Sequence, residues 1–231
     1  IAVSHNALGN IKKKHIRKDG ENYEHHYEFD PLGRLASVRE TKWLNGSQQS
    51  TVIGSYIYGV GSERLVKIDK AKKETLYISP YYELVRDASG EIVTNTKYIH
   101  GGNGVIMAIT NTGDGFGSQP SIKPAAEPGY PSAGETLYFH NNHLGSTELI
   151  TDPTGAEFSR ASYEPFGKKA EKGNTGSDTY RATYTGKEND QDIGLYYFGS
   201  RYYDADIGRF ISPDPAVQYA SPYIYGASDP I

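Results

Sequence analysis

An all-β repeat fold is predicted for this chain by three observations. A turn-and-strand unit occurs twice near the C-terminus, Asp-x-x-Gly reversals recur between short alternating strands, and 20 of the 231 residues are tyrosine. The repeated unit reads Asp190-Gln-Asp192-Ile193-Gly194 before Leu-Tyr-Tyr-Phe, and Asp204-Ala-Asp206-Ile207-Gly208 before Arg-Phe-Ile-Ser. In each copy acidic residues open a reversal, glycine supplies positive φ, and a β-prone run leaves the turn. Tyrosine buries a ring yet needs a partner for its hydroxyl, which suits strands with one face against a wet interior.

Upstream, the expected elements follow a degenerate pattern of aromatic-x-aromatic, turn, and small aliphatic strand. The clearest copies are Tyr27-Glu-Phe29-Asp30-Pro31-Leu-Gly33-Arg34-Leu35 and Tyr56-Ile-Tyr58-Gly59-Val-Gly61-Ser-Glu-Arg64-Leu65. Asp87-Ala-Ser-Gly90 and Asp152-Pro153-Thr-Gly155 repeat the turn. The spacing places Asp at the start of a type I turn and Gly where positive φ is needed, as in a hairpin with a G1 bulge. Strands such as Leu65-Val66-Lys67-Ile68-Asp69-Lys70 alternate apolar and polar residues, so one face is wet. Residues 112–135 hold Pro120, Pro124, Pro128 and Pro131 with five glycines, which predicts a loop because proline cannot donate to a ladder. A second, polar loop is expected over 171–178. Helix signals are scarce. Repeats of this kind cannot close a core singly and must stack on neighbours.

Composition excludes several functions. Net charge is −4, without the clustered Lys/Arg that a nucleic-acid surface needs. Zero cysteines excludes disulfides and thiolate metal sites. No apolar run approaches the roughly 18 residues of a membrane span. The chain starts at Ile1 rather than Met and stops at Ile231 inside a motif, so it reads as a fragment of a longer protein. His140-Asn-Asn-His143 and His25-His26 place each pair on opposite faces of a strand, which argues against chelation. The His100-Gly-Gly-Asn-Gly104 run reads as a glycine turn, since no Gly-x-Ser-x-Gly elbow accompanies it. Asn45-Gly-Ser47 is a glycan acceptor in a eukaryotic secretory protein and otherwise a turn. No cofactor site and no metal site is expected.

An ordered motif set runs from about Tyr138 to Pro215: Leu144-Gly145-Ser146, Tyr163-Glu-Pro165-Phe166-Gly167, Tyr184-Thr-Gly186-Lys187-Glu188, then the block from Arg201 to Pro215. It resembles the core of RHS-repeat proteins, the YD-repeat family that includes the toxin-encapsulating C components of insecticidal Tc complexes. The resemblance implies a β-sheet ribbon spiralling into a hollow shell. It divides the chain into YD/RHS repeats over 1–111, a loop or insertion over 112–135, the RHS-associated core over 136–215, and the start of an autoprotease or plug segment over 216–231. Within the core, Arg201, Arg209, Lys187 and Glu188 are expected to pair with carboxylates and stack on rings.

The same resemblance makes Asp214 and Asp229 candidate catalytic residues of an internal aspartyl autoprotease that frees a C-terminal toxin segment. Paired carboxylates can share a proton and act as acid and base on a peptide when burial separates their pKa values. Read from the residues alone, Asp214-Pro215 and Asp229-Pro230 are equally two ordinary corners. Relatives carry Asp-Pro-x-Gly twice, whereas Asp214-Pro215-Ala216-Val217 lacks the glycine, and the second copy is expected beyond Ile231. The implied partners are the chain's own C-terminal toxin, the rest of the shell, and a secretion-machine or toxin-complex subunit, with a secreted or machine-delivered destination. No activity is expected in this fragment beyond self-cleavage. Two alternatives are a cell-surface adhesion module binding carbohydrate or protein, and an active self-cleaving peptidase.

Overall fold

The computed structural model describes residues 1–18, 20–113, 135–170, 175 and 180–230. It is an antiparallel β structure, and among the described residues its helical content is two 3-10 turns. The described chain divides into two compact units, Ile1–Ala71 with Asp190–Pro230, and Lys72–Asn189.

In the first unit β1 (Ala2–His5), β2 (Ile11–Lys18), β3 (Glu21–Phe29), β4 (Leu35–Leu44), β5 (Ser47–Tyr58) and β6 (Arg64–Asp69) pair in chain order, each antiparallel to the next. In the second, β7 (Glu74–Ser79), β8 (Tyr82–Arg86), β9 (Ile92–Gly101), β10 (Gly104–Thr112), β11 (Glu135–Asn141), β12 (Thr147–Thr151) and β13 (Glu157–Arg160) do the same. Four short strands follow: β14 (Glu188–Asp190), β15 (Leu195–Tyr197), β16 (Tyr202–Asp204) and β17 (Arg209–Phe210). Tyr196 pairs with Tyr203, and Tyr203 with Phe210.

One turn module recurs at five of the reversals between successive strands, and it is the expected one. At Asp30 the side-chain Oδ1 accepts the N–H of Leu32 and Arg34, each at 2.9 Å, while Gly33 donates to the Asp30 carbonyl and Asp30 to the Arg34 carbonyl. The same four bonds recur at Asn6, Asp87, Asn142 and Asp152. The adjoining ladder slips by one residue, between Glu28 and Phe29 for Asp30, as a G1 bulge requires. Where the sequence offers Gly59 in place of Asp, Ser62 takes the left-handed position at φ +68°. Of the loop expected over 112–135, residues 114–134 lie outside the described residues; Thr112 ends β10 and Glu135 opens β11. The expected loop over 171–178 lies outside them too, except Thr175, which bridges to Arg160.

Each unit buries one face of its strands. In the first, Ile11, Tyr27, Leu35, Val38, Ile53 and Tyr56 pack on Ile193, Leu195, Tyr202 and Ile211. In the second, Tyr98, Val105, Ala108, Leu137, Phe139 and Ile150 pack on Tyr180 and Ala182. In both, residues from the Tyr-rich C-terminal region form the lid of the core. Tyrosine therefore serves here chiefly as core, at about 25 cal/mol per Å² of apolar area removed from water.

Candidate functional site

The first unit carries a ring of buried charges where its C-terminal strands meet β2 and β6. Both copies of the repeated turn use their first carboxylate alike. Asp190 accepts Ile193 and Gly194 N–H on its carbonyl, Asp204 accepts Ile207 N–H, and Gly194 and Gly208 take φ +67° and +64°. The Asp190 carboxylate and Asp204 Oδ2 thus point at the opposing strands, while Asp204 Oδ1 accepts the Asp206 N–H within its own turn at 3.0 Å. Asp190 Oδ2 accepts a 2.6 Å bond from Arg64 Nη1, and its Oδ1 lies 3.2 Å from Lys67 Nζ. Arg64 also donates to Tyr202 Oη at 2.8 Å and lies 4.3 Å over the Tyr197 ring. In the second copy, Lys14 Nζ donates to Asp204 at 2.7 Å and Asp206 at 3.1 Å.

Both anchors are dry. The side chains of Arg64 and Asp190 are 1% and 3% exposed, and those of Lys14 and Asp204 are 3% and 0%. Burial pushes the Asp204 carboxyl above its usual range, with Lys14 pulling the other way. Burial likewise raises the Tyr56 and Tyr202 phenols well above normal. In low dielectric such pairs are costly to split, because the partner left behind is an unpaired buried charge. Their geometry ties the C-terminal strands to β2 and β6 rather than presenting a group to solvent.

The second unit has a comparable arrangement. Tyr98 Oη donates to Glu83 at 2.8 Å, Arg181 lies 3.6 Å from Glu83 and 4.9 Å over the Tyr77 ring, and Tyr77 Oη donates to Glu188 at 2.7 Å.

Asp214 and Asp229 occupy different surroundings. Asp214 opens a turn in which its Oδ1 accepts Ala216 N–H at 3.0 Å and its carbonyl accepts Val217 N–H at 3.2 Å. Its Oδ2 lies 3.8 Å from Arg201 Nη2, whose guanidinium sits 3.7 Å over the Phe210 ring. Burial lowers the Arg201 pKa while Asp214 opposes the shift. Val217, at the position of the missing glycine, has φ +49°. Asp229 is exposed and follows the 3-10 turn Gly226–Ser228, its N–H donating to the Gly226 carbonyl at 2.8 Å. Among the described residues no hydrogen bond joins the two carboxylates.

Of the other residues singled out, Arg201 stacks on the Phe210 ring, Glu188 accepts from the Tyr77 hydroxyl, and Arg209 is exposed. His140 lies in β11 and His143 in the following turn, while His25 is buried on β3. No group of three or more His, Cys, Asp or Glu is arranged to hold a metal among the described residues. Among the described residues no helix is long and apolar enough to cross a membrane. Sequence reading missed Lys14, Arg64, Lys67, Glu83 and Arg181.

The Teneurin YD-shell family model matches residues 130–224. Salivary gland surface protein 1 of Aedes aegypti is 29% identical over 238 residues, covering 99% of this chain and 6% of that protein. Toxin subunit YenC1 of Yersinia entomophaga is 31% identical over 127 residues, 52% of this chain and 13% of YenC1. The crystal structure of TcdB2-TccC3 superposes with a TM-score of 0.60 at 18% identity, over 99% of this chain and 15% of that one. The chain thus spans a small part of the length of the proteins it matches.

Proposed function

We propose that this chain, a YD/RHS-repeat protein, is a stretch of β-shell wall that encloses a toxin carried on the same polypeptide and helps deliver it. The observation that carries this reading is the pair of buried anchors, Arg64–Asp190 and Lys14–Asp204, which fasten the C-terminal strands to the wall. A wall built from backbone ladders and dry ion pairs resists local opening, as sequestering a cargo requires. The fold shared with TcdB2-TccC3 and the likeness to the toxin subunit YenC1 support it. On this reading the partners are the remaining shell, the downstream toxin and a toxin-complex or secretion subunit, and the destination lies outside the producing cell.

Release by self-cleavage belongs to the same proposal, with Asp214 as one carboxylate and Asp229 as the second candidate. The experiment is intact mass of the natural full-length protein, wild type beside Asp214→Asn and Asp229→Asn. A wild-type product cut beyond Ile231, with Asp214→Asn uncut and folded, supports an autoproteolytic shell. Uncleaved protein throughout makes Asp214 a corner residue and leaves a passive shell. The match to an insect surface protein over nearly the whole chain favours a second reading, a surface module. It requires a polypeptide with no toxin segment and a saturable carbohydrate or protein ligand.

A further inference from the structure

The second of the two buried anchors holds three reactive side chains in contact. Lys14 Nζ lies 2.7 Å from Asp204 Oδ2 and 3.1 Å from Asp206 Oδ2. Lys14 and Asp204 are dry, whereas the Asp206 side chain is 45% exposed. The Asp204 carboxyl is held in place, because its other oxygen accepts the Asp206 N–H at 3.0 Å. A short hydrogen bond to one carboxyl oxygen puts the amine about 3–4 Å from the carboxyl carbon, close to the ~3–3.5 Å of a near-attack contact. The Tyr27 hydroxyl is buried there with no hydrogen-bond partner among the described residues. Burial first, then Asp204 and Asp206, push its phenol well above the usual range, so it stays a donor beside two carboxylates.

Lysine–aspartate pairs in water are inert, because both groups are charged and an ammonium has no lone pair to add. A dry site weakens that protection. Moving one proton along the 2.7 Å bond yields a neutral amine and a neutral acid, and burial already favours the acid form of Asp204. Holding the two groups together also replaces a bimolecular encounter, with effective molarities of about 10⁵–10⁸ M for well-oriented intramolecular reactions. The first copy of the turn is built differently. There Asp190 faces Arg64, whose guanidinium stays protonated, and Lys67 at 3.2 Å shares the carboxylate with it. Asp192, in the place of Asp206, accepts the Lys70 N–H at 2.9 Å.

We propose that Lys14 and Asp204 condense into an amide, a cross-link that closes the chain between β2 and β16. The neutral Lys14 nitrogen adds to Asp204 Cγ. Asp206 takes the proton that the nitrogen sheds and returns it to the departing Asp204 hydroxyl. One C–N bond forms, one C–O bond breaks, and water leaves on the exposed side of Asp206. Tyr27 supplies the donor for the oxygen that gains charge as the amine adds. The product fastens the last strands of the first unit to its second strand by a bond that unfolding does not break. It does not depend on the toxin-shell reading, since it rests on the contact of these side chains alone.

Intact mass of the 231-residue chain, folded and then denatured, tests it. Wild type is expected to be one water lighter than its sequence. Met107 is the single methionine, so cyanogen bromide should leave residues 1–107 and 108–231 joined in wild type. The two pieces should separate in Lys14→Arg, which keeps the charge but has no amine to add. Asp206→Asn retains both reacting groups and should join at least tenfold more slowly after synthesis. Circular dichroism matching wild type shows that each variant is folded. Folded wild type of full sequence mass overturns the proposal, whatever the variants do. A loss of water that persists in Lys14→Arg places the dehydration elsewhere and overturns it equally. Joining of Asp206→Asn at the wild-type rate overturns the part assigned to Asp206.

Discussion

At Val217 the backbone adopts φ +49° with a β-branched side chain, a combination that crowds Cβ against the following carbonyl. The turn keeps two of the four bonds of the Asp30 module, with Asp214 accepting from Ala216 and Val217, while the Asp214 N–H donates to the Pro222 carbonyl. The side chain is 73% exposed, so removing it forfeits little packing. Relief of about 1–2 kcal/mol of strain outweighs most of the entropy cost of glycine, about 0.5–1 kcal/mol. Val217→Gly should therefore stabilise the protein by up to about 1 kcal/mol, read as a Tm increase of about 2–4 °C. An unchanged or lower Tm would mean that the turn carries no such strain.

His25 makes a second case at this scale. Its ring lies 5.4 Å from Tyr23 and 6.2 Å from Tyr27, and burial pushes its pKa down to about 4, with Glu40 pulling upward. The folded protein therefore holds the neutral imidazole, while the unfolded chain protonates near pH 6.5. Stability from this group is complete above about pH 6.5 and is lost as pH falls toward about 4, by an amount on the order of 2–3 kcal/mol. His25→Phe keeps a ring between the two tyrosines and removes the proton site. Urea titrations should show the variant losing less stability than wild type between pH 7 and pH 4; parallel curves would refute the assignment.

Among the elements, the hairpins were legible in the sequence because their chemistry is local. Asp30, Asp87 and Asp152 hold N–H groups two and four residues on, so the spacing to glycine is enough to place the turn. The anchors were not legible, because Asp190 meets a cation 126 residues away and Asp204 one 190 residues away. No local pattern encodes which lysine or arginine will be buried. The exposed face of Arg209 was equally opaque, since its neighbour Phe210 is buried and strand alternation alone decides between them. Asp190→Ala would remove this carboxylate from Arg64 and Lys67 beside Tyr56, Tyr197 and Tyr202 and should cost about 3–5 kcal/mol in equilibrium unfolding. Arg64→Met combined with Asp190→Leu removes both charges and should recover part of that loss. A single variant within 1 kcal/mol of wild type would show that the pair does not fasten the C-terminal strands.

Over the whole molecule, that separation also governs folding. The core of the first unit joins Ile11, Tyr27, Val38 and Ile53 to Leu195, Tyr202 and Ile211, so these strands wait for residues far along the chain. Loop closure over such distances is entropically costly before any contact rewards it, which slows folding and leaves apolar surface open meanwhile. The second unit takes its lid, Tyr180 and Ala182, from nearer in the chain to its last strands, Phe158 and Ile150 included. A chain ending at Asn189 should therefore lose the first core while keeping the second. Hydrogen exchange should find amides of β3–β5 unprotected and those of β9–β11 still slow, with dye-binding apolar surface that wild type lacks. Protection of β3–β5 in that truncated chain would show that the six-strand meander holds its own face without the C-terminal strands. The buried anchors would then be a later addition to a wall that already stands.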